Sequence, residues 1–195
     1  ADADSTVTFS LSGADAASFN VDESSSAEGI AVIRFNNLTD FEVKTSYAVT
    51  VTADDGANTT DQALVFNVID LNDEAPVFTS ESDITIDEGA TEIVTLATTD
   101  ADADSTVAYT LSGEDAESFA LSEEGILTLQ TAANFEVKTS YAITITANDG
   151  VNTTVQAITV TVNDLNDNAP VFADVNYNIS IVENTKGPTP LVTTD

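Results

Sequence analysis

The chain has 195 residues, with 34 acidic side chains against four basic ones and a formal charge of −30, which excludes a phosphate backbone or an anionic membrane as partner and makes divalent cations the natural counterpart. Cys, His, Met and Trp are all absent, removing thiol nucleophiles, His-based triads, disulfides and the usual zinc and copper sites. No stretch approaches the roughly 18 to 20 apolar residues of a membrane span, while hydrophobic residues make up 42% of the chain and alternate with Thr and Ser, enough for a core.

No signal peptide or initiator Met opens the sequence, so we expect a window cut from a longer chain. Internal repetition then divides it. Asp4-Ser5-Thr6-Val7 returns as Asp104-Ser105-Thr106-Val107, and Leu11-Ser12-Gly13 as Leu111-Ser112-Gly113. Phe41-Glu42-Val43-Lys44-Thr45-Ser46-Tyr47-Ala48 returns as Phe135-Glu136-Val137-Lys138-Thr139-Ser140-Tyr141-Ala142, and Asp70-Leu71-Asn72-Asp73 as Asp164-Leu165-Asn166-Asp167. The period is roughly 95 to 100 residues, the size of one sandwich domain. We therefore expect a repeat over 1–74 lacking its first strand, a complete repeat over 75–168, and in 169–195 the first-strand segment of a following repeat or a strand donated to a neighbouring chain.

In the complete repeat, short strands are expected in chain order at Ile84 to Ile86 and at Ile93 to Ala97, then at Val107-Tyr109-Leu111, where alternate residues share one face. A single turn at Gly113 to Glu117 follows, then strands at Phe119 to Leu121 and Ile126 to Leu129. Tyr141, Ile143 and Ile145 line another strand face, and Ile158, Val160 and Val162 a last one. Period two throughout predicts an all-β fold of tandem Greek-key β-sandwiches of about seven strands each, set in a linear rod. Tyr47 and Tyr141 are expected in the cores, with Phe41 and Phe135 anchoring the glutamates beside them. The loop Glu23-Ser24-Ser25-Ser26-Ala27-Glu28 and the triplets Asn37-Leu38-Thr39, Asn58-Thr59-Thr60, Asn152-Thr153-Thr154 and Asn178-Ile179-Ser180 are assigned no function.

The carboxylates are bunched at strand ends rather than spread evenly as halophilic solubility would have them. Calcium takes six to eight oxygens, so a site needs several carboxylates and carbonyls arriving from different loops. The candidates are Glu88 in Ile86-Asp87-Glu88-Gly89, Asp100 and Asp102 in Thr99-Asp100-Ala101-Asp102, Glu136 after Asn134-Phe135, Asp149 in Ala147-Asn148-Asp149-Gly150, and the linker Asp164-Leu165-Asn166-Asp167-Asn168-Ala169-Pro170. Against this stands the plainer reading that Asp-Gly and Asn-Asp pairs are turn formers.

In order and spacing these motifs resemble the cadherin repeat: an acidic residue at the first strand, a DxD pair, a Leu-Asp-Arg-Glu-like element, an AxD turn and a DxNDN linker. The linker occurs twice, followed by Ala75-Pro76-Val77-Phe78 and by Ala169-Pro170-Val171-Phe172. The resemblance implies about three calcium ions at each complete junction, within the coordination calcium prefers. At the first junction it implies Asp40, Glu42, Asp70, Asn72 and Asp73 from one repeat and Asp100, Asp102 and Asp149 from the next, with the carbonyls of Leu71 and Glu74. At the second it implies Glu88, Glu136, Asp164, Leu165, Asn166, Asp167, Asn168 and Asp195. Asn134 stands where the first repeat has Asp40, so one ion there should bind more weakly. Glu74 replaces an Asn of the family linker, which is harmless if only its carbonyl ligates. Asp2 and Asp55 match Asp102 and Asp149, but their role depends on a repeat preceding the first.

The resemblance further implies a secreted or cell-surface location and no enzymatic activity. The repeats would act as calcium-stiffened extenders or homophilic adhesion units of an adhesin, fibre or biofilm component. A rival reading is a module that binds a surface glycan or protein, although carbohydrate binding usually wants exposed aromatics. Because Asp195 matches Asp100 and Ala1 matches Ala101, two readings stand: a segment of a long repetitive fibre, or a subunit whose tail completes the next molecule's first repeat by β-strand addition, building a filament of identical chains.

Overall fold

The computed structural model describes residues 6–22, 30–103, 106–172 and 183. The first repeat contributes β1 (Thr8–Ser12), β2 (Phe19–Asp22), β3 (Val32–Phe35), β4 (Ser46–Asp54) and β5 (Thr59–Asn67). The second contributes β6 (Val77–Phe78), β7 (Asp83–Asp87), β8 (Glu92–Thr95), β9 (Thr98–Thr99), β10 (Ala108–Ser112), β11 (Phe119–Leu121), β12 (Ile126–Leu129), β13 (Ser140–Asn148) and β14 (Thr153–Asn163). No other regular structure occurs among the described residues except two single 3-10 turns, Ala16–Ser18 and Ala116–Ser118.

Alternation decides which face each strand buries. In β13 the inward Ile143, Ile145 and Ala147 are buried while Ser140 and Ala142 face out; β14 does the same with Ile158, Val160 and Val162 against Thr159 and Thr161. One sheet of the second repeat runs β10-β13-β14-β7 and the facing one β11-β12-β8. The neighbours are antiparallel except that β7 lies parallel to β14, Val160 opposite Ile84 and Val162 opposite Ile86. Between the sheets Ile86, Leu96, Phe119, Leu127, Leu129 and the β13 and β14 residues form one core, each large side chain contributing about 1.5–3 kcal/mol by leaving water.

Two expected elements differ in detail. The strand anticipated over Ile93 to Ala97 ends at Thr95 with β8, and β9 starts only at Thr98, because the chain changes partners between them. Leu96 donates its N–H to the Gly125 carbonyl beside β12, whereas the Ala97 carbonyl accepts the Thr79 and Ser80 N–H groups beside β6. The second repeat accordingly holds nine short strands, two of them only two residues long, where about seven were expected. The turn anticipated from Gly113 begins with Gly113 at φ +107°, and a Cβ there would come within 3.0 Å of the Ile143 Cα, so only glycine lets this loop lie against β13.

Two of the four basic residues are used inside the fold. Lys138 pairs with Asp115 and lies 5.0 Å from the Tyr141 ring centre; Asp115 also accepts the Ala142 N–H at 2.8 Å. The first repeat repeats this with Lys44, Asp15, Tyr47 and the Ala48 N–H. Tyr47 and Tyr141 pack edge-on against Phe19 and Phe119, respectively, as core residues should.

The two repeats are not equally filled. Among the described residues the first repeat has a three-stranded sheet, β1-β4-β5, and the pair β2-β3, with no counterpart of β7 or β8. Three of its hydrophobic residues are fully buried, against twelve in the second.

Candidate metal centre

Glu42 sits in the turn that follows β3, Asp70 leaves β5, Asp100 and Asp102 leave β9, and Asp149 leaves β13. Folding brings these strand ends from two repeats to one place. Glu42, Asp70 and Asp102 each offer a carboxylate oxygen within 4.8 Å of the others, and so do Asp100, Asp102 and Asp149. Asp102 belongs to both groups, and it is only 5% exposed.

Four of these carboxylates share one pattern. Each gives one oxygen to a backbone N–H and keeps the other buried without a partner. Asp70 accepts the Ala103 N–H at 2.9 Å through Oδ2 and leaves Oδ1 bare; Asp102 accepts the Glu74 N–H at 3.0 Å through Oδ2 and leaves Oδ1 bare. Asp100 accepts the Asp102 N–H at 3.1 Å through Oδ1, and Asp149 accepts the Val151 and Asn152 N–H groups at 2.7 and 2.6 Å through Oδ1; in both, Oδ2 is bare. Together they make up four of the six buried unpartnered side-chain atoms among the described residues. A buried carboxylate oxygen without a partner is costly, and a hard cation is the group that removes the cost for several at once.

The charge balance agrees. The backbone hydrogen bond of Glu42 lowers its carboxyl pKa, but desolvation and the negative charges of Asp70, Asp73 and Asp102 outweigh it, and the group titrates above its ordinary value. Burial pushes Asp149 up, yet the Asn152 and Val151 N–H groups prevail and hold it below. One site contains an over-concentrated negative field alongside an aspartate fixed in its charged form, which suits a dication.

The linker is tied to the second repeat independently of any ion. Asn152 donates its amide to the Glu74 carbonyl at 2.9 Å and to Asn72 Oδ1 at 3.3 Å, and Asn72 donates its own to the Asp149 carbonyl at 3.3 Å. From the sequence Asn152 has no function beyond its place in the Asn152-Thr153-Thr154 triplet. The available signal was its spacing, three residues after Asp149 and repeated as Asn58 after Asp55.

Of the remaining expected ligands, Asp40, Leu71 and Asp73 line a small cleft with Glu42, Asp40 bracing the turn by accepting the Val43 N–H at 2.9 Å. Asn134 braces the matching turn of the second repeat through Val137 in the same way. Asp55 accepts the Ala57 and Asn58 N–H groups, and those bonds lower its pKa; it belongs to no cluster of three carboxylates among the described residues. Asp2 and Asp195 lie outside the described residues.

At the second junction Glu88, Glu136 and Asp164 bring oxygens within 4.8 Å of one another. Glu88 is buried and accepts the Leu165 N–H at 2.6 Å and the Phe135 N–H at 3.2 Å. Asn168 donates to Glu136 at 2.8 Å and to Asp167 at 2.7 Å, and the Asp167 N–H closes a turn on the Leu165 carbonyl. Asn166 lines the same acidic cleft.

Comparison with known proteins fits this arrangement. Human Protocadherin Fat 1 is 37% identical over 161 residues, 78% of this chain and 4% of that protein. Mouse Protocadherin Fat 4 is 33% identical over 193 residues, 93% of this chain and again 4% of the relative. The solved structure "Protocadherin gammaB7 EC3-6 cis-dimer structure" superposes with a TM-score of 0.76 at 27% identity, over 87% of this chain and 44% of that one. These are cadherin-like repeats. The family model described as "Bacterial Ig domain" also matches, over residues 72–163, a stretch that holds β6 to β14. The chain spans about one twenty-fifth of the length of these curated relatives, at 4%.

Proposed function

We propose that these cadherin-like repeats form an extracellular structural and adhesive module whose junctions are made rigid by calcium. The bare, buried oxygens of Asp70, Asp100, Asp102 and Asp149 carry this reading, because they are preset by backbone hydrogen bonds and contributed by both repeats. Glu42, Asp70, Asp100, Asp102 and Asp149 would hold the ions of the first junction, with Asp40, Asn72, Asp73 and the Leu71 and Glu74 carbonyls around them. Glu88, Glu136, Asp164, Asn166, Asp167 and the linker carbonyls of Leu165 and Asn168 would hold those of the second. The cadherin resemblance implies about three ions per complete junction, each taking six to eight oxygens.

The chain's own residues explain what the ion changes. Metal-free, the junction confines like charges whose repulsion favours a loosened linker; Asp70 of one repeat and Asp102 of the next would both hold a bound dication, whose positive charge would offset that repulsion. At free calcium one hundred times Kd, each independent site would add roughly 2.7 kcal/mol. Extracellular modules bind at about 0.1 to 1 mM, so the rod would be stiff outside a cell and slack inside.

The partners we propose are neighbouring repeats and identical chains, as in a surface adhesin or fibre. Head-to-tail strand addition belongs to the same reading, supported by the match of Ile179 and Ile181 to Ile84 and Ile86. Small-angle X-ray scattering in millimolar calcium and in excess chelator tests the calcium part. A stiff elongated particle that becomes flexible on chelation is the expected result, and identical profiles would leave the acidic clusters as solvated turns.

A further inference from the structure

Asn152 lies half-buried where the hairpin between β13 and β14 meets the linker from the first repeat. Its backbone is held by a turn of its own. The Asp149 N–H donates to the Asn152 carbonyl at 3.2 Å, and the Asn152 N–H donates to Asp149 Oδ1 at 2.6 Å. The first repeat builds the same turn, with Asp55 donating to the Asn58 carbonyl at 3.2 Å and Asn58 to Asp55 Oδ1 at 2.7 Å. The local sequences Asp149-Gly150-Val151-Asn152 and Asp55-Gly56-Ala57-Asn58 therefore fold alike, the aspartate accepting backbone N–H groups from the residues that follow it. No ion takes part in these bonds, so the turn places Asn152 in the metal-free chain.

The side chain then works across the junction. An asparagine amide carries two N–H donors, and here Nδ2 reaches two linker oxygens, the Glu74 carbonyl at 2.9 Å and Asn72 Oδ1 at 3.3 Å. The second bond decides which way round the Asn72 amide lies, since it leaves Asn72 Nδ2 to donate to the Asp149 carbonyl at 3.3 Å. Turned over, the Asn72 amide would set N–H against N–H and oxygen against oxygen. A carbonyl oxygen has two lone pairs, so the Glu74 and Asn72 oxygens each keep one for a cation after accepting from Asn152.

We propose that Asn152 is the positioning residue of the first junction: without itself being a ligand, it docks the linker on the second repeat and orients the Asn72 and Glu74 oxygens before calcium arrives. This rests on the calcium reading and adds to it a residue bonded to three of the groups around the ions, Asn72, Glu74 and Asp149. A neutral amide suits the place. A carboxylate there would set acceptors against the Glu74 and Asn72 oxygens, and alanine would not reach them. Groups that orient a metal's ligands change its affinity by roughly 10- to 100-fold, because the ion no longer has to order those ligands itself.

The test is NMR of the full chain, labelled with 15N and titrated with calcium chloride. The amides of Asn72, Glu74 and Asp149 report the first junction, and those of Leu165 and Asp167 the second. Asn152→Ala removes the donors and keeps the backbone turn; Asn152→Asp keeps the size and turns donors into acceptors. Asn152→Ala should raise Kd at the first junction by roughly 10- to 100-fold and leave the second unchanged. In metal-free buffer the Glu74 N–H, which Asp102 accepts at 3.0 Å, should exchange with solvent several-fold faster in the variant. Asn152→Asp should bind calcium no more tightly than Asn152→Ala. An unchanged first-junction Kd or an unchanged metal-free exchange rate in Asn152→Ala would overturn the proposal. So would an Asn152→Asp chain that binds more tightly than wild type, since charge rather than donation would then matter, and so would equal weakening at both junctions, which would make Asn152 a residue of the fold. A wild-type chain with no calcium-dependent shift at either junction would bring down the calcium reading and this proposal with it, whereas the other outcomes strike the proposal alone.

Discussion

Asp102→Asn is the most informative single change, because Asp102 is shared by both carboxylate groups of the first junction. Asparagine can keep the oxygen that accepts the Glu74 N–H and replaces the bare oxygen by an amide donor among carboxylates. Without calcium the substitution should therefore be neutral or stabilising. With calcium it should be harmful. Each site is worth roughly 2.7 kcal/mol at one hundred times Kd, and a domain of this size shifts by about 4–8 °C per kcal/mol. The calcium-induced rise in Tm of the second repeat should then shrink by roughly 10 to 20 °C if one site is lost, and by about twice that if both are. Differential scanning calorimetry of both chains in calcium and in chelator reads all four values. An equal loss of stability in the two buffers would refute the reasoning, since it would make Asp102 a turn residue whose value has nothing to do with metal.

Asn134→Asp gives the second repeat the carboxylate the first has in Asp40; titration calorimetry should show calcium binding at the second junction tightened by roughly tenfold, about 1.4 kcal/mol. The pair Asp115 and Lys138 predicts stability limits at both ends of the pH scale, best read by thermal melts in chelator. The Lys138 hydrogen bond and then the Ala142 N–H hold Asp115 below its usual 3.8, so this stabilisation is present above that value and lost as pH falls through the lower folded one. Asp115 raises Lys138 above its usual 10.5, so that part is present below 10.5 and lost as pH rises through the higher folded value. Asp115→Asn should flatten both limbs. Gly113→Ala should destabilise the second repeat by about 1–3 kcal/mol in calcium and chelator alike, and by more than Gly150→Ala, because a Cβ at Gly150 meets nothing within 4 Å; denaturant melts rank the two.

Much of this protein could be read from the chain itself. Strand faces follow from period two, as with Ile158, Val160 and Val162, because alternate residues of an extended chain must face opposite sides. The cadherin resemblance of the acidic motifs implied Glu42, Asp70, Asp100, Asp102 and Asp149 at one junction, and folding gathers their oxygens into two groups that share Asp102. What alternation does not encode is which edge a strand meets, so the change of partner at Leu96 and Ala97, which ends β8 at Thr95, was out of reach. Nor does a carboxylate in a sequence reveal which of its oxygens is already taken; only the packed backbone shows Asp70 and Asp149 each with one oxygen fixed and one bare. Asn152 looked like a surface triplet until the linker was laid beside it.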